Sequence, residues 1–121
     1  MKLIVAGSRT FDNYKLLDIS ITDFIVHLTK EPFHQLEIIS GTAKGADHLG
    51  EIFAKKNHLK CSRFPANWDK YGKSAGYKRN EEMAKYADAC ICFWDGISRG
   101  TNHMINIAIE HELDLKIIRF R

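Results

Sequence analysis

Three segments of this chain pair small residues with cations in the way that anion binding requires. The first, Ser40-Gly41-Thr42-Ala43-Lys44-Gly45-Ala46-Asp47, follows an apolar run and opens a stretch of helical period. Its two glycines and lysine stand where free backbone N–H groups and the positive end of a helix dipole favour a phosphate or carboxylate. Gly41 and Gly45 suit a plain strand-to-helix turn as well, with Asp47 steadying the first helical turn. The second segment, Asp95-Gly96-Ile97-Ser98-Arg99-Gly100-Thr101, has the same setting. Its amides can approach the same ligand, although Gly100-Thr101 by itself reads as a helix start. In the third, Gly7-Ser8-Arg9-Thr10, Arg9 offers a fork for bidentate contact with phosphate or carboxylate, unless it is simply a solvated loop arginine. None of the three has the G-x-G-x-x-G spacing.

Further candidates lie between the third strand and the helix that follows it. The connection Pro65 to Gly76 is about twice the usual length, and long connections are often functional. Here Asn67 stands beside Trp68, and Trp68 or Tyr71 can stack on a base or pack the loop down onto the domain. Gly72-Lys73-Ser74 resembles the end of a P-loop, but Asn67 occupies the place of the first glycine, so a Walker motif is excluded. Asn80 falls in helical phase with Met83, Ala84 and Ala87, which puts an amide on the sheet-facing stripe, where it must find polar partners. With Arg79 beside it, it contacts ligand or ties down loop backbone. Asp47 and Asp95 are the only carboxylates available for acid–base work, and a helix-start role and a turn role explain them equally well.

Positioning these groups calls for repeated β-α units. Short apolar runs alternate with stretches of helical period, which predicts five strands: Leu3 to Ala6, Leu36 to Ser40, Lys60 to Phe64, Ala89 to Trp94 and Leu115 to Phe120. The first and fourth are apolar enough to be buried on both faces. Four helices are predicted. The first runs from about Asn13 to Thr29 with Asp12 as its cap, carries Leu17, Ile21, Phe24, Ile25 and Leu28 on one face, and is ended by Pro32. The expected fold is α/β: a Rossmann-like three-layer sandwich with a five-stranded parallel sheet in order 3-2-1-4-5 and helices on both faces. In such sheets ligands bind at the switch point, here between the loops after strands one and four.

The chain has 121 residues, 45% hydrophobic and 27% charged, which suits a single domain over residues 1–121. No run approaches the roughly 18 apolar residues of a membrane helix, and the apolar run from Lys2 leaves no room for a leader. A soluble, unprocessed, cytoplasmic protein is expected. Cys61, Cys90 and Cys92 lie inside apolar runs at spacings unsuited to disulfides or metal knuckles and read as reduced core thiols. Neither a metal site nor a resident cofactor is expected. The net charge of +3 is spread along the chain, which suits an anionic small molecule more than nucleic acid; a homo-oligomer is left open.

Taken in order, Val5-Ala6-Gly7-Ser8-Arg9-Thr10-Phe11, Ser40 to Asp47, Pro65-Ala66-Asn67-Trp68, Gly76-Tyr77-Lys78-Arg79-Asn80-Glu81-Glu82-Met83 and Phe93 to Thr101 resemble the YspA-like members of the SMF/DprA-LOG (SLOG) superfamily. The resemblance covers nearly the whole chain. It implies a Rossmann-like pocket for a nucleotide-derived ligand, in proteins proposed to sense or process such signals in bacterial and phage conflict systems. The LOG hydrolases, which cleave the N-glycosidic bond of nucleoside monophosphates, carry Pro-Gly-Gly-x-Gly-Thr-x-x-Glu. Here Gly100-Thr101 matches in part, Ile97 and Ser98 replace the paired glycines, and Met104 stands where the catalytic glutamate would be. Binding or sensing is therefore expected ahead of N-glycosidic hydrolysis or transfer, with the DNA handling of the DprA branch least favoured.

Overall fold

The computed structural model describes residues 1–121. In chain order the elements are β1 (Lys2–Gly7), α1 (Tyr14–Leu28), β2 (Glu37–Ser40), α2 (Ala46–Lys56), β3 (Lys60–Arg63), α3 (Trp68–Tyr71), α4 (Ala75–Tyr86), β4 (Ala89–Trp94), α5 (Arg99–Glu110) and β5 (Asp114–Arg119). All five strands pair in parallel in the order β3-β2-β1-β4-β5, the arrangement expected from the sequence. β1 sits in the middle, with Ile4 facing Ile39 of β2 on one side and Cys90 of β4 on the other.

Alternation along the strands divides the core into two layers. Leu3 and Val5 of β1, with Ile91 and Phe93 of β4, pack against Leu17, Ile21 and Ile25 of α1 and Phe53 and Ala54 of α2. Ile4 and Ala6, with Cys90 and Cys92, face Met83 and Ala84 of α4 and Met104, Ile105 and Ala108 of α5. Helices thus cover both faces of a Rossmann-like sandwich. Burying each large side chain contributes about 1.5–3 kcal/mol, so these strands supply much of the driving force. The Cys90 and Cys92 thiols are free, buried and 3.5 Å apart, while Cys61 is half-buried on the edge strand β3. No helix is long and apolar enough to cross a membrane.

Three details differ from the sequence reading. α1 is capped by Asn13, not Asp12: the Asn13 side-chain oxygen accepts the Leu16 amide at 3.0 Å, the reach of an N-cap to the third helical residue. The chain leaves that helix at Thr29, in extended conformation at φ −142°, before Pro32. The segment Pro65 to Gly76, expected to be a loop, contains α3 and a 3-10 turn at Gly72–Ser74 that runs into α4, so there are five helices instead of four. Asn67 makes this possible by capping α3 through the Lys70 amide at 3.1 Å, and Gly72 ends it at φ 55°.

α2 lies against β1 through Gly50, where a Cβ would stand 2.8 Å from both Cβ and Cγ1 of Val5. Val5 is fully buried and stiff at χ1, so it cannot swing aside. Gly50→Ala gains about 1 kcal/mol of helix propensity but must push α2 off the sheet, at a cost of about 1–3 kcal/mol. The expected outcome is a net loss of stability, read as a lower urea midpoint with an unchanged slope.

Candidate functional site

Where β1 and β4 lie side by side, the chain proceeds to opposite halves of the sheet, and a cleft opens above their carboxyl ends. Ser8 holds its base together. The Ser8 amide donates to the Phe93 carbonyl at 2.9 Å, and its carbonyl accepts the amides of Phe11 at 3.1 Å and Ala46 at 3.4 Å. The Ser8 hydroxyl oxygen accepts the Asp95 amide at 3.1 Å and pairs with the Ser98 hydroxyl at 3.0 Å, donating to it since the Ser98 proton is given to the Asp95 carboxylate. One buried serine therefore links the loops after β1, β2 and β4.

Two glycines allow these loops to meet. At Gly7 (φ 155°) a Cβ would run into the Phe93 carbonyl, and at Gly45 (φ 78°) into the Ser8 carbonyl. Gly41 is different: its φ is unexceptional, but a Cβ would stand 2.7 Å from Arg79 Nη1 and 2.8 Å from Asp47 Oδ2. The left-handed residue beside it is Thr42, at φ 66°, a strained conformation for a β-branched side chain. Its amide donates to Ser40 Oγ at 3.0 Å, which holds the turn.

The cleft encloses about 420 Å³. Of the residues singled out from the sequence, Gly7, Ser8, Arg9, Thr10, Asp47, Trp68, Arg79, Asn80, Asp95, Ser98, Arg99, Gly100 and Thr101 line it. Gly41, Thr42, Lys44, Gly45, Asn67 and Gly96 lie outside its wall. Lys44 is exposed, Asn67 caps α3, and Gly96, at φ 89°, lets the Arg119 guanidinium lie close against the β4–α5 turn. The sequence reading missed Ala43, Lys73, Gly76, Tyr77 and the floor residues Ala6, Met83 and Met104. Lys73 and Tyr77 carried a signal, since they are a cation and an aromatic within the long segment after β3. The floor residues read only as core.

Four cationic side chains line the cleft, and Arg9, Lys73 and Arg99 make no ion pair. Arg79 is turned inward, donating to the Gly41 carbonyl and, through Nε, to Asn80 Oδ1 at 3.0 Å. Burial lowers its pKa against the opposing pull of Asp47. The Asn80 amide donates to the Gly100 carbonyl at 3.4 Å and lies 3.1 Å from His103 Nδ1, so it ties α4 to the start of α5. Tyr77 stacks on the His103 ring at 4.2 Å, and Trp68, half-exposed, stands on the same rim.

Two helix N-termini differ in what they meet. At α2 no side chain caps the helix, but the Ala46 amide donates to the Ser8 carbonyl at 3.4 Å and an acid, Asp47, stands in the first turn, its Oδ2 accepting the Ala43 amide ahead of the helix at 3.2 Å. At α5 no side chain caps the helix and no acidic residue stands in the first turn, so the amides of Arg99, Gly100 and Thr101 have no protein partner.

The two carboxyls have opposite fates. Asp95 is held down to about 2, first by the Ile97 amide at 2.9 Å, then by the Ser98 amide at 2.8 Å and the Ser98 hydroxyl at 2.9 Å. It is a turn residue. Asp47, only 5% exposed, is pushed up to about 6 by burial, which outweighs the Ala43 amide and the nearby guanidiniums of Arg79 and Arg9. Its Oδ1 has no hydrogen-bond partner, and since no sealed polar atom in the chain is unpartnered, this oxygen is open to the cleft.

Residues 1–71 match the YAcAr family, described as the YspA, cpYpsA-related SLOG family. The chain belongs to this family. This SLOG protein is 29% identical over 113 residues to the Gene 61 protein of Mycobacterium phage D29, a match covering 88% of this chain and 87% of that one. No solved structure matches it.

Asp47 has a raised folded pKa, so the native state binds a proton more tightly than the unfolded chain between about pH 4 and 6. Its ionisation therefore lowers stability as pH rises through that window, and the penalty is complete above about 6. Asp47→Asn is expected to be the more stable protein at pH 7.5, by on the order of 1 kcal/mol, with the difference vanishing as pH falls to 4. Asp95 has the opposite sign: its contribution is complete above about pH 4 and is lost as pH falls toward 2. Asp95→Ala is expected to be destabilised at neutral pH, with the gap to wild type closing below pH 4. Urea titrations of the three proteins across pH check both.

Proposed function

We propose that this SLOG protein binds or senses a nucleotide-derived small molecule whose phosphate sits at the start of α5. The observation that carries this reading is the uncapped start of α5 in the wall of a cleft that Arg9 and Arg99 also line, neither of which has an ionic partner. Free first-turn amides and an unneutralised guanidinium pair are the groups that recognise a phosphate dianion. Trp68 and Tyr77 on the rim supply aromatic faces for a base, while Ala6, Met83 and Met104 form an apolar floor.

The reading is one of binding without turnover. Met104 is apolar where the LOG hydrolases place their glutamate, and Asp95 is committed to its turn. Membership of a nucleotide-related family supports the ligand class.

A ligand that binds only the folded state raises its apparent stability, by about 2.7 kcal/mol at a hundredfold excess over Kd. Native mass spectrometry of freshly purified protein, then a thermal-shift screen of nucleoside monophosphates, cyclic nucleotides, NAD and ADP-ribose, is expected to reveal a retained or stabilising nucleotide, returned intact. Arg9→Ala and Arg99→Ala are each expected to weaken that ligand roughly tenfold or more with the thermal midpoint of the free protein unchanged, because both side chains are exposed. A well-folded protein that none of these ligands stabilises overturns the proposal.

A further inference from the structure

Phosphate binding at α5 leaves one feature of the cleft unused: the free oxygen of Asp47. A carboxylate beside an anion site is unfavourable unless it meets a donor on the ligand, because an ionised carboxyl only accepts hydrogen bonds. Asp47 is 5% exposed, Oδ2 is engaged by the Ala43 amide at 3.2 Å, and Oδ1, which has no partner, is not sealed from the cleft that Asp47 lines. A cationic donor on the ligand would face Arg79 and Arg9 near the carboxyl and Lys73 and Arg99 in the same wall. What remains is a neutral donor, and the one nearest a phosphate on a nucleotide-derived molecule is a sugar O–H. A phosphate-bearing molecule that presents such hydroxyls next to its phosphate is a sugar phosphate.

We propose that Asp47 Oδ1 accepts a ring hydroxyl of the ligand's sugar, so that the cleft selects a ribose-type phosphate over its deoxy counterpart. The proposal rests on the anion-binding reading above and adds to it the chemical class of the sugar and the residue that reads it. Asp47 can do this because α2 starts where Gly45 and Ala46 are drawn onto the Ser8 carbonyl, which fixes the carboxyl over the cleft instead of in solvent. Protonation weakens the acceptor. The charged or titratable groups that bear on Asp47 are Arg79 of α4, Arg9 of the loop after β1 and Glu51 of α2, while the Cys90 thiol of β4 feels the Asp47 charge in turn. Selection is therefore strongest above about pH 6 and fades below it.

The experiment compares ribose 5-phosphate, 2-deoxyribose 5-phosphate and 3-deoxyribose 5-phosphate on the full chain by calorimetry or ligand-observed NMR, at pH 7.5 and pH 5.0. At pH 7.5 at least one deoxy sugar is expected to bind about tenfold more weakly than ribose 5-phosphate. At pH 5.0 that ratio is expected to shrink several-fold. The phosphate's own titration is common to all three and cancels in the ratio. Asp47→Asn, which can keep the Ala43 contact through its carbonyl oxygen and turns an NH2 group toward the cleft, is expected to equalise the three affinities at both pH values. If that variant does not fold, the pH dependence of the wild-type ratio decides alone. Equal affinities in the wild type, a ratio unmoved by pH, or discrimination that survives in folded Asp47→Asn overturns the Asp47 assignment and leaves the phosphate site standing. Failure of all three sugars to bind overturns the sugar assignment, while the nucleotide screen decides the phosphate site.

Discussion

The close meeting of three loops at Ser8 is the constraint on which the rest of the site depends. β1 lies centrally in the sheet, so its loop must pass between the loops of β2 and β4, with no room for side chains at the crossing. Gly7 and Gly45 remove the obstructing Cβ atoms, and Ser8 then meets both neighbours through its amide, carbonyl and hydroxyl. A buried hydroxyl held by two hydrogen bonds leaves little freedom to the atoms it joins. The start of α2, the Asp95 turn and the start of α5 are located relative to one another by this one residue.

From that arrangement follows an unequal distribution of charge. The β4–α5 turn absorbs the Asp95 carboxylate into its own amides and leaves the first turn of α5 free, while Arg9 and Arg99 line the same cleft without ionic partners. The β2–α2 turn instead places an acid, Asp47, in the first turn of its helix, where it accepts the Ala43 amide. Two glycine loops that look alike in composition thus offer different chemistry, one an opening for an anion and the other a buried acceptor. Asn80, bridging to the Gly100 carbonyl and to His103, keeps the two helices that frame the cleft in register.

Much of this was legible from residue types. The alternation of apolar runs with helical stretches led directly to the five parallel strands and their order, because right-handed crossovers and short connections leave few alternatives. Most of the cleft wall lies in the segments that glycine, arginine and aromatic content had marked. Local competition between near-equivalent residues was harder to read: Asp12 and Asn13 are both able caps, and only the geometry of α1 selects Asn13. The helical turn at Trp68–Tyr71 was hidden because four residues carry no periodicity.

What the sequence determined by itself was the fold class, the place of the cleft and the sign of its charge, since these depend on patterns that repeat along the chain. The use of each loop was decided only by tertiary structure. Gly41 and Gly45 both suit a turn, yet one makes space for Arg79 and the other for the Ser8 carbonyl, contacts made with segments more than thirty residues away. Likewise, Asp47 and Asp95 are the same residue in similar loops, and burial raises one while backbone amides lower the other. A carboxyl's proton affinity is set by what folding brings around it, and that is not written in its neighbours along the chain.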